Sequence, residues 1–129
     1  MALSSNLQNK NSKLAFLFPG QGSQSVGMGL DLYENSPAAR EIFKTTDDVL
    51  KRPLSKIMFE GPSEELSSTI NSQPALLATS LASLAATKER FAGLLDKDVE
   101  FMAGHSLGAV SYTPLRAHEP EADLVCRLL

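Results

Sequence analysis

The 129-residue chain has no tryptophan, one cysteine and no surplus of basic residues. Each shortage excludes something. A lone Cys126 cannot close an internal disulfide, which fits a reducing compartment. Twelve Lys and Arg against fifteen Asp and Glu leave a formal charge of −3, so no basic surface is available for nucleic acid or anionic lipid. No apolar run approaches the ~18 residues of a membrane span. Met1 to Ser12 is polar, lacks the apolar centre of a secretory leader, and is expected to be disordered. What remains is an ordinary globular composition, 43% hydrophobic and 21% charged, and a cytoplasmic protein is the default expectation.

The stretch with the strongest chemical signal is Gly104-His105-Ser106-Leu107-Gly108, preceded by the apolar run Val99 to Ala103. A G-x-S-x-G pattern after a strand suits a sharp strand-to-helix turn that exposes a serine hydroxyl. Its glycines remove side chains that would collide with neighbouring backbone, and the amides that follow can stabilise an oxyanion. The alternative is a glycine-flanked turn without chemistry.

Leu14 to Phe18 is a second continuous apolar run, closed by Pro19-Gly20, and suits a strand buried on both faces of a parallel sheet. Pro19 to Gly29 then carries four glycines in eleven residues. It lacks the Gly-Lys-Ser/Thr ending of a phosphate loop, and its spacing fits a dinucleotide fingerprint poorly. A loop at the carboxyl end of a strand is nevertheless where open sheets bind ligands. Gly20 and Gly22 would let backbone approach a substrate closely, and Gln21 and Gln24 could offer amide groups.

Helical signals follow. Leu30 to Glu34 is a short helix, and Ser36-Pro37 forms an N-cap and first-turn pair. The helix from Ala38 to Leu50 presents Ile42, Phe43, Val49 and Leu50 on one face. Asp47-Asp48 reads as solvated surface rather than a metal pair, and no metal site is expected. Pro53 breaks this helix, Leu54 to Phe59 makes another short turn, and Ser63 begins a further short helix after Gly61-Pro62. Asn71-Ser72-Gln73-Pro74 reads as the start of a helix over Ala75 to Arg90, largely buried through Leu76, Leu77, Ala78, Leu81, Leu84 and Ala85. Strand, helices and strand make a βαβ unit, hence an α/β fold with a parallel sheet.

Three blocks in this order resemble the malonyl-CoA:acyl carrier protein transacylase family. They are Phe18-Pro19-Gly20-Gln21-Gly22-Ser23-Gln24 with Gly27-Met28-Gly29, Gln73-Pro74-Ala75-Leu76-Leu77, and Gly104 to Gly108. The resemblance implies the N-terminal part of an α/β-hydrolase-like core, residues 13–108, without the family's ferredoxin-like subdomain. It implies that Ser106 takes malonyl from coenzyme A as an ester and passes it to the phosphopantetheine thiol of acyl carrier protein. The backbone N–H groups of Gln21 and Leu107 would form the oxyanion hole, and Gln73 would lie near the acyl pocket. No resident cofactor is implied, since the coenzyme A thioester is substrate. His105, beside the nucleophile, is not expected to be the base.

The family's base histidine and carboxylate-gripping arginine are expected downstream of Gly108, so this chain is expected to be inactive by itself. His118 and Arg116 are poor substitutes, because the remainder departs from the family. Ala109-Val110-Ser111-Tyr112-Thr113-Pro114 replaces an expected glutamate and alanine-rich helix. Ala109 to Leu129 resembles a translated transposase-type sequencing adapter, matching over Val110 to Pro120 except at Pro114 and Pro120, and throughout Leu124 to Leu129. It is read as a non-native tail. The same nucleophile would also serve a polyketide synthase acyltransferase domain or a serine esterase. The glutamine-containing loop argues against the esterase, which often carries an HGGG-type loop there.

Overall fold

The computed structural model describes residues 14–93 and 99–104. Two strands and five helices follow one another: β1 (Leu14–Phe18), α1 (Leu30–Asn35), α2 (Pro37–Leu50), α3 (Leu54–Glu60), α4 (Ser63–Ser67), α5 (Thr69–Arg90) and β2 (Val99–Gly104). The strands pair in parallel, with Phe18 opposite Gly104 at their carboxyl ends and an irregularity between Leu14 and Ala15. The α/β reading therefore holds for the described residues, as a small parallel sheet joined by a helical crossover. Both strands were legible because each is a short apolar run bounded by chain-breaking residues.

The helices are set by local chemistry that the sequence displays. Ser36 caps α2, its hydroxyl oxygen accepting the Ala39 N–H at 3.1 Å, and Pro37 takes the first turn. The same hydroxyl donates to Glu89 near the end of α5, which ties the two helix ends together. Lys51 leaves α2 with a φ of 55°. Asp47 then reaches forward to cap α3, accepting the Ser55 N–H at 2.9 Å and the Ser55 hydroxyl. Asp47 thus ties the end of α2 to the first turn of α3.

The core lies mainly between α2 and α5. Ala39, Ile42 and Phe43 meet Ala75, Leu77, Ala78, Leu81, Ala82 and Ala85, with Leu54, Met58 and Leu66 closing the end. Alanines along α5 let the two helix axes approach closely. Tyr33, Phe43 and Phe59 stack at tilted or edge-on angles with ring centroids 5.2–6.2 Å apart, joining α1, α2 and α3. Of the expected α2 face, Ile42 and Phe43 are buried, whereas Val49 and Leu50 are only half-buried and Thr46 takes a core position. Thr46 can do so because its hydroxyl donates to the Ile42 carbonyl at 2.8 Å.

Two expectations are corrected. The long helix does not begin at Asn71 to Ala75; it begins at Thr69 and contains Pro74. A proline inside a helix deprives the carbonyl four residues earlier of its N–H, here that of Ile70. Arg52 supplies the missing donor, its Nη2 lying 2.7 Å from the Ile70 carbonyl oxygen. Its Nη1 bonds the Asn71 side chain, which in turn donates to the Glu65 carbonyl at 2.8 Å. The second correction concerns β1, which is not buried on both faces. Phe18 is buried, but Leu17 is 78% exposed, because no described element covers its side of the strand.

Candidate active site

The register of the sheet decides where the candidate residues lie. Phe18 and Gly104 are partners, so the glycine-rich loop after β1 and the chain after β2 leave the same carboxyl edge. Neighbouring parallel strands are about 4.8 Å apart. Ser106 and Leu107, like His105, lie outside the described residues.

The loop has a defined geometry. Gly20 is buried, and its carbonyl accepts the Ser23 N–H at 3.3 Å, closing a four-residue turn. Gly22 occupies the third turn position with a φ of 103°. It has open space around its α-carbon, so its conformation rather than crowding calls for glycine there. The Gly22 N–H donates to the Gln24 side-chain carbonyl at 2.8 Å. No described group accepts from the neighbouring Gln21 N–H. The turn therefore presents one occupied and one unoccupied amide side by side.

Further along, the loop is tied to the helical layer. The Gly27 N–H donates to the Met58 carbonyl at 2.8 Å, and Val26 packs over Gly61. Gly29, with a φ of 79°, starts α1 beneath the Phe43 ring. Glycine richness here serves two ends, a turn that needs a positive φ and a helix start that needs room.

Gln73 is exposed near the start of α5, between buried Ser72 and half-buried Pro74. Its turn is braced by Arg52, a residue that sequence reasoning passed over. The available signal was Pro74, which leaves the Ile70 carbonyl in need of a donor from elsewhere. A groove of about 290 Å³ runs between β1 and α5, its largely apolar wall of Phe16, Phe18, Met28, Leu76 and Leu84 interrupted by the hydroxyl residues Ser23, Thr79, Ser80, Ser83 and Thr87. Neither Gln21 nor Gln73 lines it.

Gly104, the one described residue of the G-x-S-x-G segment, thus pairs with Phe18, after which the glycine-rich amide turn begins. Residues 15–115 match the acyl transferase domain family, and the chain belongs to it. A malonyl CoA-acyl carrier protein transacylase of Bacillus subtilis (strain 168) is 54% identical over 100 residues, covering 78% of this chain and 30% of that protein. The crystal structure of acyl-carrier-protein-S-malonyltransferase from Bartonella henselae superposes with a TM-score of 0.79 at 44% identity, over 91% of this chain and 37% of that one. A malonyl-transacylase in complex with its type II polyketide acyl-carrier protein gives a TM-score of 0.76 at 39% identity, over 91% and 36%. The chain thus spans about 30% of the length of the curated relatives it matches.

Proposed function

We propose that the protein carrying this sequence transfers a malonyl group from coenzyme A to the thiol of acyl carrier protein, in fatty-acid biosynthesis. The observation that supports this most is the Phe18–Gly104 register, which ends both strands at one sheet edge, where the Gln21 turn begins and the last described residue before the Ser106 motif lies. In this reading the Ser106 hydroxyl attacks the thioester carbonyl, and the negative charge on that carbonyl oxygen is met by the N–H groups of Gln21 and Leu107. The carbon–sulfur bond breaks, coenzyme A leaves as the thiol with the serine's proton, and a seryl ester remains. The carrier's phosphopantetheine thiol then attacks that ester and restores the Ser106 hydroxyl. Coenzyme A enters as substrate, and no resident cofactor is invoked.

Gln73 is assigned to the acyl pocket, and Gly20 and Gly22 to the close approach of backbone and substrate. The complete fold would be an α/β-hydrolase-like core with a ferredoxin-like subdomain, acting in the cytoplasm. No helix among the described residues is long and apolar enough to cross a membrane. A base histidine and a carboxylate-binding arginine would come from residues beyond the family motifs present here. A planar guanidinium suits malonate's free carboxylate because it donates two parallel hydrogen bonds. The full-length protein with labelled malonyl-CoA should form a malonyl-enzyme and pass the label to acyl carrier protein, and Ser106→Ala should form none. Ester hydrolysis without transfer to the carrier would overturn this assignment.

A further inference from the structure

We propose that Gln24 is a positioning residue, whose side chain holds the central Gln21–Gly22 peptide of the Gly20–Ser23 turn in one orientation and so keeps the Gln21 carbonyl off the face beside the outward Gln21 N–H. The inference rests on the reading of Gln21 N–H as an oxyanion donor. Two adjacent peptide planes carry the argument. The first joins Gly20 to Gln21, and its carbonyl points across the turn to the Ser23 N–H at 3.3 Å. In a trans peptide the carbonyl and the N–H point in opposite directions, so the Gln21 N–H faces away from the turn. The second plane joins Gln21 to Gly22, and its N–H is held by the Gln24 side-chain carbonyl at 2.8 Å.

That second plane is the one that distinguishes the two common turn types. Type I and type II turns differ by a flip of the central peptide, and type II places a positive φ at the third residue, as Gly22 has. Glycine tolerates both forms, so Gly22 by itself does not choose between them. The bond from Gln24 does, since a flipped peptide would carry the Gly22 N–H away from it. A flip would also move the Gln21 carbonyl to the face where the Gly22 N–H had been. A carbonyl dipole there would alter the field at an oxyanion held by its neighbour. The bond lies at the surface, so its loss should leave the fold standing and alter the turn.

The test is Gln24→Met in the full-length protein, which keeps side-chain length and removes the acceptor. The Gly22 amide proton resonance should move upfield and its exchange should quicken. Single-turnover acylation of Ser106 by malonyl-CoA should slow about tenfold or more, less than the hundredfold or greater loss on deleting an oxyanion donor outright. KM for malonyl-CoA and the melting temperature should stay close to the parent's. A Gly22 amide unchanged by the substitution, or acylation at the parental rate, overturns the latch. So does a rate loss matched by a fall in melting temperature. If the parent protein forms no malonyl-enzyme, the acyl-transfer reading falls, and the Gly22 amide then decides the latch alone.

Discussion

Arg52 donates to the Ile70 carbonyl at 2.7 Å, the carbonyl that Pro74 leaves without a helical partner. The side chain of one helix connection thus completes the hydrogen bonding of another helix's first turns. Arg52→Met should cost about 1–2 kcal/mol of unfolding free energy, at the modest end because the bond to Ile70 is exposed. Restoring an N–H with Pro74→Ala should cost less stability, or add more, in the Arg52→Met background than in the parent. Urea denaturation of the four proteins in a double-mutant cycle measures that coupling. Strict additivity would dissociate the arginine from the proline.

Gly29 should tolerate no side chain. A Cβ there would lie 2.6 Å from Phe43 Cζ, and the residue's φ is 79°. Gly29→Ala should destabilise by about 2–4 kcal/mol, the sum of a left-handed backbone and a crowded ring. Adding Phe43→Leu should recover the steric share and leave the backbone share. Thermal or denaturant melts of the pair separate the two.

Ser72 offers the opposite sign. Its side chain is 0% exposed, and its hydroxyl has no hydrogen-bond partner among the described residues. Removing an unsatisfied buried hydroxyl relieves its desolvation penalty, and alanine is the better helix former. Ser72→Ala should therefore be neutral or raise stability by up to about 1 kcal/mol. A loss above that size would reveal a partner for the hydroxyl.

The gene should differ from the chain after Gly108. Intact genomic DNA read across codon 108 is expected to show a glutamate codon and a long open frame in place of Ala109-Val110-Ser111-Tyr112. Genomic Ala-Val-Ser-Tyr would establish the tail as natural.

Much of the fold was legible because its signals are local. The apolar runs at Leu14 to Phe18 and Val99 to Ala103, the Ser36-Pro37 start and the Pro53 break act within a few residues of themselves, and each lies where its chemistry predicts. The loop between Phe18 and Leu30 was legible as a loop, and its glutamines as possible amide donors and acceptors. The direction of the Gln24 bond was not, because it depends on a turn geometry that Gly22 permits without dictating. The start of α5 was misread for a related reason. Pro74 looks like a helix entrance when only its neighbours are counted, and Arg52 is 22 residues away in the chain.

The sequence by itself determined the two strands, most helix boundaries and the motif set that places the chain in its family. Those follow from backbone sterics, capping and hydrophobic period, all of them short-range. Only the tertiary structure decided that Phe18 meets Gly104 and that Asp47 caps a helix. It alone placed the Gln21 amide, which has no acceptor among the described residues, beside one held by Gln24. Pairing register and hydrogen-bond direction depend on groups far apart in the chain meeting at fixed angles, which no local pattern encodes.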